Sequence, residues 1–307
     1  MDLVIALMLL VFGISGGNAG QPSAVADMLV KAGKGSQVAT APSGAVTDAG
    51  VSSNGKNGKT NGKPAEYVKT DPQPDAPKVK GIYVTAHSAG GSRMETLLKL
   101  VKDTELNSMV IDIKDDNGYI TYPTDNPELL KLGTAQKYIG DASKLMNRLK
   151  ADNVYPIARI VVFKDTVLAK KKPELSFRKG DGTVWTNGKG ESFVNPYRKE
   201  VWDYNIAIAK EAAKLGFKEI QFDYVRFPEG FEKKADFLKY DKTKESRVDV
   251  VASFVKYAKQ QLEPLGIRVS VDIFGYAASV PAAEGIGQDF VKISKYVDVI
   301  SPMVPSG

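Results

Sequence analysis

The sequence predicts an α/β chain of the TIM-type (β/α)8 barrel class carrying six of its eight β/α units over residues 78–307, preceded by a signal peptide at 1–19 and a disordered low-complexity linker at 20–77. Three observations carry this reading. Short β-branched runs alternate with amphipathic stretches from Lys78 onward. The runs are almost continuously apolar, as strands covered on both faces must be. No hairpin signal interrupts the alternation, which leaves parallel crossover connections.

The elements follow in order. Residues 3–12 (LVIALMLLVF) are an apolar run too short to span a bilayer core of about 30 Å, followed by small residues up to Gly20. This matches the apolar region and cleavage site of a secretory signal, although Asp2 stands where a basic residue is usual; an uncleaved anchor and a buried helix are the other readings. Residues 20–77 are rich in Gly, Ser, Ala, Asn, Lys and Pro, with NGKNGKTNGK at 54–63. A stretch with so few large apolar groups cannot offset its ordering entropy, so it reads as a flexible tether. Strands are then expected at 78–85 (KVKGIYVT), 108–114 (SMVIDIK), 154–163 (VYPIARIVVF), 218–224 (KEIQFDY), 267–275 (IRVSVDIFG) and 297–303 (VDVISPM). Helices are expected at 92–104, 141–153, 198–216, 245–266 and 287–296. In the third of these, Val201, Tyr204, Ile208, Ala212 and Leu215 recur at helical spacing, and Leu-Gly at 215–216 and 265–266 supplies the stop before a strand. A doubly wound sheet is the competing fold, but the first strand runs into HSAGGS at 87–92 in place of a G-x-G-x-x-G phosphate cradle. A complete barrel needs eight units, so the six seen here read as a barrel lacking its last quarter.

Composition narrows the chemistry. The chain has 307 residues, 43% hydrophobic and 25% charged, with a formal charge of +6. That mild excess of base implies no nucleic-acid partner by itself. There is no cysteine and a single histidine, His87. Thiolate sites, disulfides and multi-histidine metal centres are therefore excluded, and no cofactor or metal is expected. Chemistry must rest on carboxylates, hydroxyls and amines.

In a β/α barrel the strand C-termini form the active face. The candidates there are His87 after the first strand, Asp112 and Lys114 at the end of the second, Arg159 within the third, Asp223, Tyr224 and Arg226 at the fourth, and Asp272 and Phe274 at the fifth. Asp112, Asp223 and Asp272 sit in apolar strands, where an ionised carboxylate is costly unless paired or put to work. Asp112 reads either as a structural carboxylate, bonded to backbone or Arg159, or as a substrate contact. Asp272 reads as a buttress or as a catalyst. Asp223 is the strongest case, with Arg226 placed to hold it as an anion. His87 reads as a loop residue or a sugar-hydroxyl contact, and the D-D-N-G run at 115–118 as a turn. Carboxylates with aromatic neighbours (Tyr83, Tyr122, Phe163, Trp185, Tyr224, Phe274, Tyr276) suit glycoside hydrolysis.

The segments GIYVTAHSAGG, VIDIKDDNGYITY, PIARIVVFKD, QFDYVRFP, VSVDIFGY and VISPM, in that order, resemble the bacterial family described as a putative glycoside hydrolase domain, related to the α-amylase-like barrel hydrolases. The resemblance runs from about Val79 to the C-terminus. It implies an exported (β/α)8 barrel with a glycosidase-type active face, Asp223 as the leading catalytic candidate and Asp272 as the second carboxylate. The sequence departs from the family pattern after Met303, where a Tyr and His are usual and Val304-Pro305-Ser306-Gly307 stands instead.

The function expected is hydrolysis of O-glycosidic bonds in a polysaccharide, with the cell envelope as its expected source, by Asp223 and Asp272. Asp112, Lys114, Arg159, Tyr224, Arg226, His87 and Phe274 are expected to bind substrate. The expected location is secreted or envelope-associated, with no nucleic-acid partner and no stable membrane insertion after signal cleavage. Two alternatives stand beside this: a non-catalytic carbohydrate- or wall-binding barrel, and a metal-dependent deacetylase or phosphoesterase using Asp112, Asp115 and His87.

Overall fold

The computed structural model describes residues 78–303, so the segments read as signal peptide and linker lie outside the described residues. Among the described residues six parallel strands form one sheet in sequential order. They are β1 (Gly81–Val84), β2 (Ser108–Lys114), β3 (Tyr155–Val161), β4 (Glu219–Asp223), β5 (Arg268–Phe274) and β6 (Val299–Met303). Each strand pairs with the next in the chain, which is the arrangement of consecutive β/α-barrel units; a doubly wound sheet would reverse its order.

The helices are α1 (Ala86–Gly90), α2 (Arg93–Asp103), α3 (Pro127–Leu132), α4 (Ala142–Ala151), α5 (Thr166–Lys171), α6 (Lys199–Leu215), α7 (Arg247–Leu262) and α8 (Phe290–Ser294). Their ends are set by the residues the sequence marks. Ser246 caps α7 by accepting from the Asp249 N–H. Gly216, at φ 108°, closes α6 in a left-handed conformation that glycine adopts without steric cost. α8 is only five residues long, shorter than the amphipathic stretch around it suggests.

One sheet face meets the helices. Met109, Ile111, Ala158, Ile160, Ile220, Phe222, Val269, Val271 and Ile300 are fully buried there, with Leu98, Leu149, Ile208, Ala212, Phe254, Val255 and Ala258 among the helix residues of the same core. The other face carries polar side chains at matching levels. Asp112 pairs in register with Arg159, Arg159 with Gln221, and Gln221 with Ser270. Asp223 and Asp272 each lie one residue beyond the Phe222–Val271 pair, and Asp272 is in register with Ser301. Alternation therefore delivers the polar residues of five strands, β2 to β6, to one face.

That alternation breaks once. The β2–β3 register shifts between Asp112 and Lys114, so that Lys114 pairs with Ile160 directly after the Asp112–Arg159 pair. This bulge turns Lys114 to the helix-covered face.

Candidate active site

Arg159 lies mid-strand in β3 and is 7% exposed. Its Nη1 donates to Asp112 Oδ1 at 2.7 Å, and its Nε and Nη2 donate to Asp223 Oδ2 at 3.0 and 2.5 Å. Nη2 also reaches Asp116 Oδ1 at 3.3 Å. Burial opposes the guanidinium charge, but Asp223, Asp112 and Asp116 outweigh it and hold Arg159 protonated well above its ordinary range. The Tyr83 hydroxyl donates to Asp112 Oδ2. Burial still lifts the Asp112 carboxyl above its ordinary range against the pull of Arg159 and Tyr83.

Asp223 is fixed at both oxygens. Oδ2 is held by Arg159, and Oδ1 accepts from the Tyr224 N–H at 2.6 Å. Tyr224 has φ 50°, a left-handed conformation that costs a residue with a side chain about 1–3 kcal/mol and gathers at functional sites.

Asp272, on the next strand, has a different environment. It is 3% exposed, and its Oδ1 has no hydrogen-bond partner. Burial, and then the nearby charge of Asp223, push its carboxyl well above the ordinary range; Arg159 and Ser301 offset this only in part. Two carboxyls on adjacent strands are thus set apart, one ion-paired with an arginine and one whose hold on its proton is strengthened by burial. Such a pair can deliver a proton from one side and offer negative charge from the other.

Around this centre stand groups that the strand-end reading did not single out. The Lys164 ammonium lies 3.0 Å from Asp116, 3.4 Å from Glu191 and 4.0 Å from the centre of the Tyr224 ring. Asp116 keeps 47% of its side chain exposed. Burial raises its carboxyl, but Arg159 and Lys164 together outweigh that and lower it. The signal available in sequence was position alone, since Lys164 and Asp116 each lie within three residues of a strand end.

Several expected contacts are corrected. Lys114 is fully buried on the helix side, ion-paired with Asp165 at 2.6 Å and donating to Asn205 Oδ1 of α6 at 3.1 Å. It is a core ion pair and makes no substrate contact, because the bulge reversed its face. Arg226 does not hold Asp223, a role that Arg159 takes. Tyr224 breaks the strand, and the Arg226 guanidinium instead bonds Phe227 O and Glu229 at 3.2 Å each, beside the Tyr224 and Phe274 rings. His87 is exposed on α1 against Tyr138, with ring centres 4.3 Å apart, and among the described residues no hydrogen bond or ring contact joins it to the Arg159 cluster. Phe163 is core, packed on Phe254 of α7 at 5.3 Å, and Tyr122 and Trp185 are also buried. Phe274 stays partly exposed beside Tyr276.

Asp115 is a turn residue as read, its Oδ1 accepting from the N–H groups of Asn117, Gly118 and Tyr119. Among the described residues no three His, Asp or Glu side chains are grouped to hold a metal ion, so Asp112, Asp115 and His87 do not form the ligand set that a metal-dependent reading requires.

Comparison with known proteins gives the following. The family model described as "Putative glycosyl hydrolase domain" matches residues 81–307. None of the curated proteins matches the chain. A hypothetical protein from Ruminiclostridium thermocellum is 34% identical, with a TM-score of 0.57 over 62% of this chain and 96% of that one. An α-amylase from Lactobacillus plantarum is 14% identical, with a TM-score of 0.49 over 72% of this chain and 51% of the amylase, so the chain spans about half of that enzyme's length. A glycoside hydrolase family 20 β-N-acetylglucosaminidase is 13% identical, with a TM-score of 0.46 over 71% of this chain and 50% of the other.

Proposed function

Because the chain belongs to the family described as "Putative glycosyl hydrolase domain", we propose that it hydrolyses O-glycosidic bonds of a polysaccharide through Asp223 and Asp272. The observation that carries this is the contrast between the two carboxyls on adjacent strands. Asp223 is held by two nitrogens of Arg159, whereas Asp272 is buried, free at Oδ1, and has its carboxyl raised well above the ordinary range by burial and the charge of Asp223.

In this reading Asp272 donates its proton to the glycosidic oxygen as the bond to the anomeric carbon breaks, and the bonding electrons leave with that oxygen. Asp223 meets the positive charge that develops on the sugar, as nucleophile or as charge stabiliser, and water completes the hydrolysis. Arg159 orients Asp223 and, through Asp112 and Asp116, is itself held in place. Tyr224, Phe274 and the exposed edge of Asp116 suit contact with sugar faces and hydroxyls. The expected outcome is that Asp223→Asn in the full chain releases no reducing sugar from an envelope polysaccharide that the native protein degrades, with an unaltered circular dichroism spectrum. Equal release by both proteins rejects the assignment.

The cell-envelope substrate and exported location are part of the proposal and draw their support from residues 3–20. Fractionation of cells expressing the full chain should find the protein outside the cytoplasm; retention in the cytoplasm rejects this part.

A further inference from the structure

A groove of about 650 Å³ lies on the C-terminal side of the sheet, away from the Arg159 cluster. One wall is the loop after β4 together with the start of α7, including Asp236, Tyr240, Lys242 and Ser246; the other is the loop after β5, including Glu284 and Asp289. These loops belong to the two strands that end in Asp223 and Asp272.

The two loops are tied together beside the carboxylates. The Phe227 N–H donates to Ile286 O at 2.8 Å. Gln288 bridges the strands directly, accepting from the Phe274 N–H at 2.9 Å and donating to Val225 O at 3.3 Å. Further out, Arg247 Nε donates to Glu284 O at 2.9 Å, joining α7 to the opposite wall. The groove is therefore built by hydrogen bonds from both loops, and its walls continue the segments that leave the reacting carboxyls.

Its lining indicates the ligand. Five carboxylates and four cations line it, so neither a polyanion nor a polycation is favoured by net charge. What remains favoured is a neutral ligand dense in groups that both donate and accept, meeting carboxylates and ammonium groups alternately. Tyr197 and Tyr240 add aromatic surface, stacked at 22° with centroids 6.4 Å apart and each partly exposed. The two rings also pack on Phe227, Phe177 and Phe231; their partly exposed surface amid mixed polar groups, in a space within the usual 300–1,000 Å³ range of binding sites, suits the apolar and hydroxyl-rich sides of pyranose rings.

We propose that this groove is a remote subsite for a neutral glycan chain, so that the protein holds a polymer away from the point of cleavage and cuts within chains. The ligand class rests on the glycosidase reading above, whereas the existence of the subsite can be tested without turnover. Maltohexaose, cellohexaose and chitohexaose are titrated separately into isotope-labelled full-length protein carrying Asp223→Asn, following the amide signals of Lys244, Ser246 and Glu284 in the groove and Asp116 and Tyr224 near the cleft. At least one hexasaccharide should shift both sets. Adding Asp236→Ala and Lys242→Ala, both at exposed positions, should lower its affinity about tenfold and remove the groove shifts while those near the cleft remain. Shifts confined to the cleft, no shifts with any hexasaccharide, or an affinity unchanged by the two substitutions overturns the subsite. Hydrolysis by the native chain is scored separately. Groove binding without hydrolysis rejects the glycosidase reading and keeps the subsite; hydrolysis without groove binding does the reverse.

Discussion

Lys114 and Asp165 form a fully buried ion pair, 2.6 Å apart, between the sheet and α6. Burial pushes the lysine down and the aspartate up, each against the attraction of the other. Such a pair adds little net stability when intact but is expensive to break, because one charge then stays buried alone. Lys114→Met should therefore cost about 3–5 kcal/mol in urea unfolding, while kcat and KM of the folded enzyme stay near native. A raised KM with native stability would restore Lys114 as a substrate contact. Sequence alone showed that Asp112, Asp223 and Asp272 gather at one sheet end, since a carboxylate in an apolar strand is conspicuous. It did not show which cation serves which acid. Along the chain Arg226 stands beside Asp223 and reads as its partner, with Arg159 reading as a partner of Asp112; only the register that sets β3 beside β4 gives Asp223 to Arg159.

The strands and principal helices were legible because apolar periodicity and Leu-Gly stops are local properties. The bulge in β2 was not, because an extra residue in a strand leaves the apolar pattern of SMVIDIK intact while reversing the side chains after it. The turn after β2 shows how closely such local geometry is tied to the pair behind it. Gly118 has φ 102°, and a Cβ there would lie 1.9 Å from Asp165 Oδ1. Asp165 in turn caps α5 by accepting from the Leu168 N–H at 2.7 Å. Gly118→Ala must then strain the backbone and displace the carboxylate that holds both Lys114 and the helix start. A loss of at least about 1–3 kcal/mol is expected from the backbone alone, seen as a lower urea midpoint. An unchanged midpoint would mean that the turn relaxes freely.

At the scale of the fold, the six parallel strands of the described residues bring side chains from positions 112 to 301 to one sheet face, and the proposed chemistry depends on that convergence. The absence of cysteine and the single histidine directed attention to carboxylates from the start, and the structure assigns the two leading ones contrasting environments. Asp272 is raised by burial and by the charge of Asp223, so it keeps its proton above the ordinary carboxylate range and surrenders it as pH rises through the raised value. If it is the general acid, activity must fall over that same interval, and a variant without the titrating group must lose that limb of the profile. The direct measurement is kcat/KM against pH for the native full chain and for Asp272→Asn on one polysaccharide. The expected result is a native profile that declines on the alkaline side and a variant about 10²–10⁴-fold slower that lacks this decline; a variant that is as fast as native, or that keeps the same alkaline limb, contradicts the division of labour between Asp223 and Asp272.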